Sequence, residues 1–284
     1  MTLVSTADLM LDAVSAGSGV AAFNVIHLET AEAFVLAAEI TGLPVVLQIS
    51  QNCARYHGAL QPIALATLSA ARASSARVAV HLDHADEEEL THQAVDLGFG
   101  SVMFDGAALD YDENVETTAR VVAYAHAHGV YVEAELGEIG GKDGAHAPGV
   151  LTDPEEAQRF VFDTGVDALA VAVGSSHAMT ERLATVNLEL IARLRSTLAV
   201  PLVLHGSSGL SDEEIQRSIA AGMTKINVST HLNAVLTGAV RACLRDNPAM
   251  VDSRAYFSAA RRSLATEAAR MITLLSTPYP QGQR

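Results

Sequence analysis

Short apolar runs recur along the chain at Gly19–Asn24, Pro44–Ser50, Val78–Asp83, Ser101–Phe104, Val130–Leu136, Ala168–Val173, Pro201–His205 and Lys225–Ser229. Each is rich in Val, Leu, Ile or Ala and gives way to a polar residue or a glycine. Unbroken runs, rather than alternation, predict strands buried on both faces. Amphipathic segments lie between them. Glu29–Thr41 predicts a helix, and Asp86–Leu97 opens on acids and stops at Gly98. Asp153-Pro154-Glu155-Glu156 supplies a cap, a first-turn proline and two acids. Ser211 to Glu214 reads as a capping box, and Gly222 closes that helix. A last helical stretch runs from about Arg254 to Leu275. Strand then helix, eight times over, predicts a TIM (β/α)8 barrel with an extra C-terminal helix, spanning residues 1–284 as a single domain. The glycine-rich segment Gly137–Gly149 is either a lid or a solvated excursion.

Composition narrows the function. With 49% hydrophobic residues the 284-residue chain can fill a large core. Its formal charge of −15 argues against a nucleic-acid or anionic-membrane partner. Lysine is confined to Lys142 and Lys225. A bound phosphate would therefore lie on backbone amides, hydroxyls or a metal. Cys53 and Cys243 make no disulfide framework and no CxxC motif, which fits a reducing cytoplasm. Residues 1–19 lack the pattern of a signal peptide, and no apolar stretch reaches membrane-span length.

In such a barrel the chemistry sits at the C-terminal ends of the strands. Those ends supply Asn24, Ser50, Asp83 with His84, Asp105, Glu135, His177, His205, and Asn227 with Ser229. A single histidine there would be an ordinary loop or core residue. His84, His177 and His205 follow strands three, six and seven, and three imidazoles that leave a fourth position open suit catalytic zinc. His92, His126 and His128 lie on predicted helices as surface or packing residues. His81 shares a strand face with Asp83 and is either a supporting partner of the site or core. Gly206-Ser207-Ser208-Gly209 and Asn227-Val228-Ser229-Thr230 occupy the usual phosphate-binding loops of a barrel, or else are plain turns with helix caps.

These residues resemble the class II fructose-bisphosphate and tagatose-bisphosphate aldolases over essentially the whole chain. The segments that carry the resemblance are AFNV (22–25), HLDHA (81–85), SVMFDGAAL (101–109), VEAELGEIGG (132–141), TDPEEAQRFV (152–161), TGVDALAVAVGSSH (164–177), PLVLHGSSGL (201–210) and TKINVST (224–230). The resemblance implies that His84, His177 and His205 bind catalytic Zn2+ and that Asp83 serves the hydroxyl of the cleaved bond. It gives Asp105 and Glu135 a part in the metal region, sometimes as a second cation site. Gly206, Ser207, Ser208, Asn227, Val228, Ser229 and Thr230 match the dihydroxyacetone phosphate pocket, with a monovalent cation near the phosphate. Asn24, Gln48 and Ser50 match substrate-side positions. Arg261 matches an arginine lent to a neighbouring subunit for the distal phosphate, and a homodimer or homotetramer is implied. The substrate implied is a phosphorylated ketose, fructose- or tagatose-1,6-bisphosphate. Three features depart from the family pattern. Asp143 stands where a loop glutamate is usual, Ala178-Met179-Thr180 replaces a glycine followed by tyrosine and often lysine, and Ala107 replaces a serine. The amide of Ala178 still matches a substrate contact. These departures leave the metal ligands in place and bear on the substrate.

Other chemistries fit less well. A Schiff-base aldolase needs a lysine at a strand C-terminus, whereas Lys225 is read as the start of strand eight and Lys142 lies in a loop. The His-x-His pair that many barrel metal hydrolases carry after strand one is replaced by Phe23-Asn24-Val25. A non-catalytic aldolase-like partner subunit would explain the changes at Asp143 and Ala178, but not the retention of Asp83 and the three histidines.

Overall fold

The structure is a computed structural model that describes residues 3–136, 151–175 and 182–278. Helix α1 (Thr6–Ala16) precedes the first strand β1 (Val20–Asn24), followed by α2 (Leu28–Thr41), β2 (Val45–Ser50), α3 (Gln51–His57), α4 (Leu60–Ala73) and β3 (Val78–Ala85). Next come α5 (Glu88–Leu97), β4 (Ser101–Phe104), α6 (Tyr111–Ala127), β5 (Tyr131–Leu136), α7 (Pro154–Thr164) and β6 (Ala168–Val171). The chain ends with α8 (Leu188–Thr197), β7 (Leu202–Leu204), α9 (Asp212–Ala221), β8 (Met223–Val228), α10 (Thr230–Asp246) and α11 (Ser253–Ser276). The eight strands close in sequence order into a parallel barrel. This is the expected (β/α)8 architecture with its extra C-terminal helix, and α11 packs across α2 and α10. No described helix is long and apolar enough to cross a membrane.

The sequence signals for helix ends act as expected, with one exception. Asp153 Oδ1 accepts from the amides of Glu155 (2.9 Å) and Glu156 (3.0 Å). Ser211 Oγ accepts from Glu214 N at 3.1 Å. The reciprocal half of that capping box is not made, because Glu214 Oε1 instead accepts from Val186 N, tying α9 to the approach to α8. Helix α1 was not anticipated. Its Leu9, Met10 and Ala13 pack with Val20, Ala22, Val46, Ala79, Met103 and Ala168, so α1 closes the amino end of the barrel with apolar side chains.

The continuous apolar runs conceal an alternation. Outward positions such as Phe23, Leu47, Leu82, Val132, Leu204 and Ile226 join the main core under the helices. Inward positions are small and apolar at the bottom and polar towards the top: Gln48, His81, Asp83, Glu133, Glu135, Lys225 and Asn227 are all buried. The barrel thus delivers polar groups to one end only. One boundary needs correction: β8 starts at Met223, two residues before Lys225. Lys225 therefore lies inside the barrel, 1% exposed, rather than at its amino edge.

Candidate active site

The C-terminal mouth of the barrel holds a cavity of about 500 Å³. Asp83 and His84 both enter it, although adjacent residues of a regular strand face opposite ways. The register between β3 and β4 shifts between Leu82 and Ala85, and His84 adopts φ +48°. A bulge re-aims side chains in this manner, and a non-glycine residue in the left-handed region costs about 1–2 kcal/mol. That cost is accepted where both side chains are needed.

Asp83 is buried at the centre of three amide side chains. Asn24 Nδ2 donates to its Oδ2 at 2.7 Å, Gln48 Nε2 to the same oxygen at 3.3 Å, and Asn227 Nδ2 to Oδ1 at 3.4 Å. Gln48 Nε2 also donates to Asn24 Oδ1 at 2.9 Å. Strands β1, β2 and β8 therefore fix this carboxylate from three sides. Gln48 Oε1 and Asn227 Oδ1 are buried polar atoms with no hydrogen-bond partner among the described residues, which suits groups that meet a ligand.

Two imidazoles converge beside Asp83. His205 Nδ1 lies 2.8 Å from His84 Nε2, with the rings edge to face at 86°. Two nitrogens bound tetrahedrally to one zinc at about 2.0–2.1 Å would lie roughly 3.3 Å apart, so a small adjustment seats a cation between them. The other nitrogen of each ring is held by a carboxylate. His84 Nδ1 is 2.7 Å from Asp105 Oδ2, and His205 Nε2 is 3.0 Å from Glu133 Oε1. Asn227 Nδ2 also approaches His205 Nε2, at 3.2 Å. Glu135 Oε2 stands 3.8 Å from His84 Nδ1. Donor atoms of Asp83, His84 and His205 lie within 4.8 Å of one another, as do those of His84, Asp105 and Glu135. The donor set fits a divalent cation. His177, Ala178 and Asp143, together with the segment Gly137–Gly149, lie outside the described residues.

These acids act on His84. Burial of the ring opposes its charge, but the negative charge of Asp83, the bond to Asp105 and the charge of Glu135 prevail and raise its pKa to about 9. An imidazole raised from about 6.5 stabilises the fold fully below that value and loses the contribution as pH climbs through about 9. Thermal unfolding of chelator-treated protein should thus show a Tm that falls between pH 6.5 and 9.5, with a smaller fall in His84→Asn. An equal fall in the variant would remove His84 as the source.

The other side of the cavity presents hydroxyls and a helix amino end. Gly206, at φ +70°, turns the chain after β7, and Ser208, Ser229 and Thr230 line the wall beside it. Ser229 precedes α10 without capping it through its side chain. Its hydroxyl is thus not consumed as a helix cap, which favours the anion-binding reading over plain turns. The amino end of a 17-residue helix faces the cavity here, and its first-turn amides have no acceptor within the helix. Ser208 Oγ accepts from His231 N at 3.2 Å. Ser207 and Val228 support this wall rather than line it. Ser207 Oγ donates to the Asn227 carbonyl at 2.5 Å, and Val228 is buried in the core. Asn24, Gln48 and Ser50 line the opposite wall, with Ser50 also capping α3.

Arg261 is not at the mouth of its own chain; it pairs with Glu32 of α2. Arg55, which the sequence reading passed over, does line the cavity and pairs with Asp86 (3.3 Å) and Glu87 (2.9 Å). Its position one and a half turns into α3 depends on a short helix after β2 that the apolar pattern does not predict. Glu133 and Lys225 were also missed. Their signal was present, since each is a charged residue two places before a polar residue of the mouth on the same strand, Glu133 before Glu135 and Lys225 before Asn227. Lys225 Nζ is bound to Glu133 Oε2 at 2.8 Å, within the lumen. His92 and His126 are on helices as surface or packing residues, His92 stacked on Tyr124 and His126 paired with Asp167.

Comparison with known proteins agrees with this geometry. The sequence profile of class II fructose-bisphosphate aldolase matches residues 4–278. A fructose-bisphosphate aldolase of Geobacillus stearothermophilus is 38% identical over 268 residues, covering 93% of each chain. One of Staphylococcus aureus is 37% identical, covering 93% of this chain and 94% of its own. The crystal structure of the YdjI aldolase from Escherichia coli K12 superposes with a TM-score of 0.81 at 30% identity, covering 96% of this chain and 97% of the other. A barrel mouth that pairs a caged aspartate with converging imidazoles is thus matched along nearly the whole sequence, and the chain belongs to the class II fructose-bisphosphate aldolase family, whose members are in general metal-dependent lyases.

Proposed function

We propose that this protein catalyses the reversible, zinc-dependent cleavage of fructose- or tagatose-1,6-bisphosphate to dihydroxyacetone phosphate and glyceraldehyde 3-phosphate. One observation carries the reading: the carboxylate of Asp83 and the converging nitrogens of His84 and His205 share one cavity with the amino end of α10. His84, His205 and His177 are the proposed zinc ligands, a set that leaves room for substrate. A cation held there would supply Lewis-acid stabilisation of the negative charge that develops on the substrate.

The chain's own residues do the rest. Gly206, Ser208, Ser229 and Thr230 hold the C1 phosphate through amides and hydroxyls, which suits a chain with so few lysines. Asp83 accepts the proton of the C4 hydroxyl as the C3–C4 bond breaks, and returns it in the condensation direction. Its amide cage holds it in place throughout, so no reorganisation is required. Asp143 is the group assigned to proton exchange at C3. Asp105 and Glu135 steady His84 and offer a second cation position. The protein is proposed to act in the cytoplasm as a homodimer or homotetramer, with Arg261 directed to a neighbouring subunit and a monovalent cation near the phosphate.

Arg55 is assigned to the distal phosphate, as the one Lys or Arg side chain among the described residues lining the cavity. Arg55→Ala should raise KM for the bisphosphates by about tenfold through loss of a charged contact. For a ketose 1-phosphate KM should stay unchanged. An equal rise for both substrates would rule out this assignment. Following triose phosphate release from each bisphosphate tests the function and ranks the two sugars. Failure of zinc-loaded protein to cleave either one would refute it.

A further inference from the structure

We propose that Glu133 and Lys225, two charged residues sealed inside the barrel, form a charge-balanced support that fixes His205 with Nδ1 directed at the cation and so sets metal affinity and ligand field. The inference rests on the metal-site reading above. Glu133 lies one inward position below Glu135 on β5, and Lys225 one inward position below Asn227 on β8. Both are 1% exposed. Glu133 employs both oxygens: Oε1 faces His205 Nε2 at 3.0 Å, and Oε2 accepts from Lys225 Nζ at 2.8 Å.

Stability alone gives no reason to keep such a pair. Desolvating two charges costs as much as their attraction returns, and apolar residues of similar volume often serve as well or better. The lower lumen shows that apolar filling is available, since Ala22, Val46, Ala79, Ala168 and Val203 pack there. The pair is instead positioned where it can act on His205. An imidazole that donates through Nε2 keeps its lone pair on Nδ1. Nδ1 is the atom that faces His84 Nε2 across the space for the cation.

Lys225 offsets the charge that Glu133 would otherwise add beside Asp83, Asp105 and Glu135. It is itself anchored. His81 Nε2 lies 3.4 Å from Lys225 Nζ, His81 Nδ1 lies 2.8 Å from Ser101 Oγ, and Ser101 bonds to Thr6 of α1 at 2.7 Å. Burial holds the His81 pKa well below the ordinary value, so its ring is neutral; Nε2 accepts from the ammonium while Nδ1–H donates to Ser101. His81, left open by the sequence as partner or core, belongs to this support. His84 is instead held by Asp105, at the wall of the cavity.

The test measures zinc affinity by chelator competition and the visible absorption of the cobalt-loaded protein, in wild type, Glu133→Gln and the double variant Glu133→Gln/Lys225→Met. The double variant leaves neither charge of the pair buried and keeps the test open if the single one misfolds. Glu133→Gln should weaken zinc binding about 10–100-fold, as loss of a carboxylate behind a metal-bound histidine does. It should also shift the cobalt bands, while far-UV circular dichroism stays that of wild type. The double variant should show the same loss. Folded variants that bind zinc within twofold of wild type with unshifted cobalt bands would overturn the proposal. Wild-type protein that binds neither metal tightly would instead overturn the metal-site reading, and this inference with it.

Discussion

Asp83→Ala is expected to lower kcat for bisphosphate cleavage by about 10²–10⁴-fold, the usual contribution of a positioned general base. The residue lines the cavity rather than the fold's apolar core, and its partners are the side-chain amides of Asn24, Gln48 and Asn227. Alanine removes the proton acceptor and leaves those amides to water or substrate. Zinc content should remain near wild type, because His84 and His205 keep their own carboxylate partners, Asp105 and Glu133. Asp83→Asn keeps the volume and should be nearly as inactive. Steady-state rates set beside metal content distinguish this from loss of the cation. A variant that loses metal along with activity would make Asp83 a ligand rather than the base.

His205→Ala should bring zinc binding and turnover down together, with cleavage falling by at least about 10³-fold, since a Lewis acid accounts for several kcal/mol of charge stabilisation. His205 is fully buried where β7 meets the mouth and contributes one of the two converging nitrogens. Its loss also strands Glu133, whose Oε1 then has no imidazole to face. Metal analysis after dialysis should find less than one zinc per chain. Retention of full zinc stoichiometry with high activity would place the cation elsewhere.

Much of this arrangement could be read from the sequence, for a physical reason. Strands buried on both faces are written as unbroken apolar runs, and a barrel then puts every strand end at one mouth. Asp83, His84, Asp105, His205 and Asn227 could therefore be named by position alone, and all of them line the cavity. What could not be read depends on geometry finer than periodicity. Alternation would send His84 away from Asp83; only the bulge and its φ of +48° bring both inward. Lys225 was misplaced because Met223-Thr224 after Gly222 resembles the end of a turn rather than the start of a strand. Glu133 looked like one acid among many until its two oxygens were seen to join His205 to Lys225. Helix α1 carries no strong start beyond Ser5, whose hydroxyl caps it, and its value lies in plugging the barrel floor.

The most direct test of a metal-dependent aldolase is the release of triose phosphate from fructose- and tagatose-1,6-bisphosphate before chelation, after chelation, and after zinc is added back. The account predicts cleavage of at least one sugar, its abolition by chelator and its recovery with zinc at about one ion per chain. Cleavage that persists undiminished in metal-free protein would contradict it.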